Sequence, residues 1–253
     1  MIFRALESPI PRSAGQAAWQ VFLETQKNTL PPCAIVFQFD HARLAGDLAR
    51  AFTPEAFGEM PDEVIQAIAE HDFGWQEFDA MQLRRRDETE PRPFLRLNVE
   101  ETQPAWDACI RHAQGWSPLF DVLVSRHFTL LAAANPDGRE EFIRSETARR
   151  RTVERELPYS PEELDCWTGA IGFCDLLSLY LCCGATEPVE FALAHPADPR
   201  SSDARKVQLL WERNTLRFSA PILRPGTDVE VSAQSDAGGG SETTPLHLSW
   251  QFA

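Results

Sequence analysis

Val64-Ile65-Gln66-Ala67-Ile68-Ala69-Glu70-His71-Asp72-Phe73-Gly74-Trp75 is the stretch on which the reading of this chain turns. Val64, Ile68, His71 and Trp75 recur at helical spacing and share one face of a helix that Pro61 opens, at a position suited to proline. That face is apolar except for His71, and Asp72 follows it directly. Burying a histidine or a carboxylate among Val and Ile is costly unless a partner compensates.

Three other segments repeat the pattern. His41, Leu44, Ala45, Leu48, Ala49 and Phe52 line one face of a helix, with Asp40 where an N-cap belongs. A helix from Pro118 carries Phe120, Leu123, Val124, His127, Leu131 and Ala134 on one face. Glu163 to Cys183 is strongly apolar and reads as the most buried helix; Ile171, Asp175, Ser178 and Cys182 share a face, and Gly184 stops it. His41, His71, His127 and Asp175 thus each mark an otherwise apolar helix face. A shared cation explains such convergence better than four unrelated buried polar groups. Mixed His/Asp donors suit Mn, Fe, Ni, Co, Zn or Mg. The ligands so assigned are His41, His71, Asp72 and Asp175, with His127 either a ligand to a second ion or a group just outside the first.

The rest of the chain gives a mostly α fold with a small β appendage. Ile2-Phe3 and Ala34 to Phe37 read as strands with a loop between them, and Phe73 to Pro93 reads as irregular. A further helix covers Pro104 to Gln114, and Arg139 to Glu156 forms a charged, solvated one. Beyond Gly184, Lys206–Trp211, Thr215–Ala220, Val229–Ala233 and Leu246–Phe252 alternate as strands, with Arg213-Asn214 a hairpin turn. The expected division is a helical metal-binding region over 1–184, including an N-terminal β element over 1–38, and a β appendage over 185–253 with a mobile loop at 234–244.

Composition narrows the function. The 253 residues carry a formal net charge of −14, which disfavours nucleic-acid polymers while leaving small phosphorylated molecules open. No targeting segment and no apolar run of membrane-spanning length is evident, so a cytoplasmic location without membrane contact is expected. The six cysteines form no Cys-x-x-Cys pair and read as reduced, mostly buried thiols. Nothing excludes a homo-oligomer.

The pattern resembles the HD superfamily of metal-dependent phosphohydrolases, whose signature is a lone His on one helix, a His-Asp pair ending a later one, and a distant Asp. Phe39-Asp40-His41-Ala42-Arg43-Leu44-Ala45, the segment quoted first, and Phe173-Cys174-Asp175-Leu176-Leu177 carry the resemblance. More narrowly it looks like a branch of that superfamily of unknown function, through Gln38 to Gly46, His71 to Trp75, Ser125 to Phe128 and Asp175 to Leu179. The resemblance covers roughly residues 34 to 184 and implies an HD-type helical bundle, a divalent metal and hydrolysis of a small phosphate ester or nucleotide by a metal-activated water. Glu70, Glu77 and Asp79 lie close enough in sequence to orient the water or move a proton, with Glu70 and Asp79 preferred. Arg43 and Arg126 are the candidate phosphate contacts.

Departures from the family keep other readings open. Trp75 stands where a Lys is common, and of the paired histidines of two-metal phosphodiesterases only His127 and His112 are candidates, His112 reading better as a surface residue. An HD-type di-iron oxygenase is one alternative, and a non-catalytic metal- or ligand-binding domain another. Ser125 lacks the Gly-x-Ser-x-Gly frame of a hydrolase nucleophile. Arg84-Arg85-Arg86 and Arg149-Arg150-Arg151 read as solvated charge; Trp75, Trp106, Trp116 and Trp167 read as core or pocket wall, and His195 and His247 as incidental.

Overall fold

In chain order the elements are β1 (Ile2–Ala5), α1 (Ala18–Asn28), β2 (Cys33–Val36), α2 (Gln38–Ala51), α3 (Pro54–Phe57), α4 (Asp62–Glu70), α5 (Gln76–Arg84), α6 (Val99–Trp116), α7 (Pro118–Ala134), α8 (Glu140–Glu154), α9 (Pro161–Cys182), β3 (Val189–Ala192), β4 (Lys206–Glu212), β5 (Thr215–Phe218), β6 (Asp228–Asp236) and β7 (Thr244–Gln251). The chain is therefore mostly α with small antiparallel sheets. This computed structural model describes residues 1–6, 16–29, 32–85, 89, 91–185, 188–212, 215–236 and 243–253.

α9 is the central helix. Pro161 occupies its first turn, and Ser160 and Glu163 close a reciprocal capping box, with Glu163 N donating to Ser160 Oγ at 3.1 Å and Ser160 N to Glu163 Oε2 at 2.8 Å. Every residue from Trp167 to Cys182 is buried, as expected of a helix apolar all round. Among the described residues it is the one helix long and apolar enough to cross a membrane, but 89% of that stretch is buried inside the fold.

α2 packs on both α9 and α4. A Cβ at Gly46 would meet Ala69 Cβ at 2.4 Å, so the missing side chain is what lets α2 cross α4 so closely. Gly74 acts similarly: in the short 3-10 turn Phe73–Trp75, a Cβ there would lie 2.3 Å from Ala105 O and 2.5 Å from Cys109 N of α6. These two glycines dock both flanks of the His-Asp segment.

One sheet has the order β1-β2-β6-β7, joining both ends of the chain, and a second has the order β3-β4-β5. Ile2 pairs with Val36 and Cys33 with Asp236. Alternation along β1 and β2 sends Ile2, Ala34 and Val36 into the main core and Phe3, Cys33 and Ile35, with Met1, into a small separate cluster. That main core runs from Ile2 to Phe252. Gln26 of α1 covers the backbone of β1, accepting from Phe3 N at 2.9 Å and donating to Phe3 O at 2.7 Å.

The structure corrects several local expectations. The N-terminal loop contains α1, whose Ala18, Val21, Phe22 and Thr25 are buried at helical spacing. The irregular stretch after Phe73 contains the 3-10 turn and α5, which buries little beyond Asp79. α6 starts at Val99 because Asn98 and Glu101 form a capping box there, and it runs through Pro104. α2 starts at Gln38, so Asp40 lies in its first turn rather than capping it. The C-terminal strands fall into two sheets rather than one appendage, with β3 an added strand. Residues 234–236 and 244 of the expected loop are paired strand, while 237–242, like Arg213-Asn214, lie outside the described residues.

Candidate metal centre

Helices α2, α4, α7 and α9 bring His41, His71, Asp72, His127 and Asp175 together. Helical phase does this locally: each residue lies on the inward face of its helix, and Asp72 sits just past the end of α4, where the chain tightens into the 3-10 turn. All five are buried. His41, His71 and Asp72 offer ligand atoms within 4.8 Å of one another, and so do His71, His127 and Asp175.

Hydrogen bonding fixes which nitrogen of each imidazole faces the cluster. His71 Nδ1 lies 2.8 Å from Ile68 O. A carbonyl only accepts, so Nδ1 carries the proton and Nε2 the lone pair. That Nε2 is buried with no hydrogen-bond partner, 3.7 Å from Asp72 Oδ2 and 3.6 Å from Asp175 Oδ1. His41 is held at both ring nitrogens. Ser178 Oγ donates to Asp175 O at 2.8 Å and lies 3.0 Å from His41 Nδ1. His41 Nε2 hydrogen-bonds Asp72 Oδ2 at 3.0 Å, where the carboxylate accepts. Two imidazoles and two carboxylates converge, and His71 Nε2 finds no hydrogen-bond partner among the described residues.

Such a cluster requires positive charge. Without a metal, protons supply it. Burial lowers the His71 pKa, but Asp72 and Asp175 outweigh burial and raise it to about 9. Burial raises Asp72 and Asp175, but His71 and His41 outweigh it, and both are held below the usual carboxylate range. A divalent cation fits the same space. Ligands about 2.1 Å from one ion lie about 3.0–3.4 Å apart, against 3.0 Å for His41 Nε2 to Asp72 Oδ2 and 3.6 Å for His71 Nε2 to Asp175 Oδ1. The Asp72 and Asp175 side chains keep 7% and 10% of their surface exposed, so the cluster opens to solvent on its carboxylate edge.

His127 occupies the far side, its Nε2 3.8 Å from Asp175 Oδ2 and its Nδ1 2.9 Å from His195 Nε2. His195, read from sequence as incidental, is buried against the cluster. The segment 193–196 crosses α9 where glycines make room: a Cβ at Gly172 would meet His195 Cδ2 at 2.4 Å, and one at Gly169 would touch Ala194 Cα at 3.5 Å. Two glycines one turn apart in an otherwise apolar helix are a signal of close approach, though not of the residue that approaches. Ser178 was visible by helical phase without a role assigned to it.

The remaining candidates lie elsewhere. Asp79 is buried, but it accepts from the Met1 amino group at 3.0 Å and from Gln38 N at 2.8 Å, holding the start of α2. Glu70 accepts from His112 Nε2 at 2.6 Å, and that imidazole stacks on Phe73 at 3.7 Å. Arg43 is exposed, and Glu77 is exposed and paired with Arg84. Arg126 bonds Glu154 at 2.6 Å and Asp165 at 2.8 Å, and with Arg150, Arg200, Thr129 and His195 it lines a cleft of about 610 Å³. Arg149 and Arg150 are half-buried rather than solvated: Arg149 grips both Asp121 oxygens at 2.6 and 2.7 Å, and Arg150 donates to Thr129 at 2.7 Å. Arg86 lies outside the described residues. Trp75 is buried beside Phe78 and Phe94, while Trp116 is exposed.

Fold and site together define a helical protein with a buried His/Asp cluster built for positive charge. The chain belongs to the family described as "Protein of unknown function (DUF3891)", whose model matches residues 24–224 and so contains all six clustered residues from His41 to His195. No curated protein and no solved structure matches it.

Proposed function

We propose that this chain is a metal-dependent phosphohydrolase of the HD type, acting on a small phosphate ester or nucleotide. The observation that carries the reading is the convergence of buried His41, His71, Asp72 and Asp175, with His71 Nε2 left without a hydrogen-bond partner between the two carboxylates. Those four residues would hold one divalent ion, and the mixed nitrogen and oxygen set suits Mn, Fe, Co, Ni, Zn or Mg. When bound, such an ion polarises a phosphoryl oxygen and makes a nucleophilic water accessible near neutral pH. Ser178 and Ile68 O orient the two imidazoles, the part outer groups play at metal sites. The net charge of −14 favours a small substrate over a nucleic-acid polymer. Six cysteines with no Cys-x-x-Cys pair agree with work in a reducing cytoplasm.

A second reading, an HD-type di-iron oxygenase, rests on the second group of candidate ligands, His71, His127 and Asp175. A screen of phosphate esters and nucleotides with Mn²⁺- or Ni²⁺-loaded protein separates the two. Hydrolysis that disappears in both His71→Ala and Asp72→Ala supports the first. Two bound irons with oxygen consumption and no phosphate release support the second. Retention of both metal and activity in the two variants sinks the metal-centre reading altogether.

A further inference from the structure

His127 and His195 form a hydrogen-bonded pair whose direction the backbone sets. Ala197 N donates to His195 Nδ1 at 3.1 Å. The amide has only a proton to offer, so His195 Nδ1 carries a lone pair and its single proton sits on Nε2. His195 Nε2 lies 2.9 Å from His127 Nδ1 and must be the donor. His127 Nδ1 is then an acceptor, and its own proton is on Nε2, directed at Asp175 Oδ2, 3.8 Å away. The ordering is Ala197 N–H to His195, His195 to His127, and His127 towards Asp175. The reverse ordering would set the protons of Ala197 N and His195 Nδ1 against each other.

We propose that His195 is a positioning residue that locks His127 as an Nε2–H donor facing Asp175, so that His127 is withheld from coordination and the cluster takes one cation rather than two. The lock itself stands on hydrogen-bond geometry alone; the ion count rests on the metal-centre reading. A ligating imidazole needs a free lone pair towards the ion, as His71 has at Nε2. His127 has its lone pair turned away, towards His195. Burial, the largest influence on both rings, keeps them below the ordinary histidine range, His195 at about 4, in keeping with neutral imidazoles. Gly172 is the second element of the device, since any side chain there would collide with the His195 ring. His195 also borders the 610 Å³ cleft, but its Nδ1 is taken by a backbone N–H, so the pair is a fixed chain of donors rather than a proton path from the cleft.

The test uses full-length chain labelled with ¹⁵N-histidine and dialysed against chelator. Six histidines make assignment by single variants practical. Long-range ¹H–¹⁵N correlation should find both His127 and His195 as Nε2–H tautomers. His195→Gln, whose amide N–H can still reach His127 Nδ1, should keep the His127 tautomer; His195→Leu should release it to a mixture. Gly172→Ala should release it too with the rest of the spectrum in place, which covers the case of a poorly folded leucine variant. Mn²⁺ titration of wild type should saturate at one equivalent. An Nδ1–H tautomer at His127 in wild type, an unchanged His127 signal in both His195→Leu and Gly172→Ala, or two equivalents of metal overturns the proposal. Because the tautomer is read in metal-free protein, a chain that binds no metal refutes the metal-centre reading while the spectrum still decides the lock.

Discussion

Replacing Gly46 by alanine adds one methyl group where α2 crosses α4, and the structure sets the size of the effect. The new Cβ would sit 2.4 Å from Ala69 Cβ and 2.8 Å from Ala69 Cα, while carbon atoms in contact prefer about 3.5–4.0 Å. Neither neighbour is the end of a flexible side chain, so the helices must part by about 1 Å. Overpacking of this kind costs about 1–3 kcal/mol. The intrinsic helical gain of alanine over glycine, about 1 kcal/mol, works in the opposite direction. A net loss of up to about 2 kcal/mol corresponds to a Tm drop of up to about 8 °C for a chain of this size. Function should suffer as well. His41 lies on α2 and His71-Asp72 at the end of α4, and sites of this kind tolerate displacements of only about 0.5 Å. Divalent-metal affinity should fall about tenfold or more. Differential scanning fluorimetry and competition with a chelating dye read both quantities. Gly115→Ala is the control: a Cβ there meets nothing within 4 Å, so it should raise Tm by about 2–4 °C and leave metal binding alone. If Gly46→Ala matched that control in both stability and affinity, the account of how the two helices set the ligand spacing would be refuted.

Other consequences are as direct. Adding a divalent ion to chelator-treated protein at about 100 times its Kd should stabilise it by about 2.7 kcal/mol, a Tm rise of about 5–10 °C that His71→Ala abolishes; equal rises in both proteins count against the site. In metal-free protein His71 has a raised folded pKa of about 9, so its contribution is fully present below its ordinary value of 6.5 and is lost as pH rises through 9. Urea denaturation should therefore detect a loss on the order of 3 kcal/mol across that window, absent from His71→Ala, and a flat profile in wild type contradicts the protonated cluster. Arg149→Leu strands the buried Asp121 carboxylate and should cost about 3 kcal/mol in urea denaturation, most of it recovered in Asp121→Leu/Arg149→Leu; an additive double variant shows that the pair carries no coupling.

How much of this was legible in the sequence depended on the length over which a pattern repeats. α2, α7 and α9 each repeat an apolar face over three turns or more, and their ionisable residues could be placed on it; the structure brings His41, His71, Asp72, His127 and Asp175 together. α1 has such a face but only over two turns, between segments rich in Ser, Gln and Pro whose composition suggests a loop. α5 buries little beyond Asp79, so it gives almost no periodic signal; its residues are shaped by the turn that Gly74 docks against α6. His195 lay beyond any local rule. Its place depends on the segment 193–196 crossing α9 at Gly169 and Gly172, an approach between residues far apart in the chain. Arg149 and Arg150 illustrate the converse: in sequence they are part of a charge run, and only the packing of α8 on α7 shows that they serve Asp121 and Thr129. The roles of Asp79 and Glu70 were likewise fixed by partners distant in sequence, the Met1 amino group and His112.

The proposed centre holds one divalent cation among His41, His71, Asp72 and Asp175. Elemental analysis of protein purified without added metal, repeated after saturation with Mn²⁺ and desalting, tests it most directly. One equivalent of divalent metal per chain is expected in wild type and none in the His71→Ala/Asp72→Ala double variant. A wild-type chain that retains no metal after saturation, or a double variant that retains as much as wild type, would contradict it.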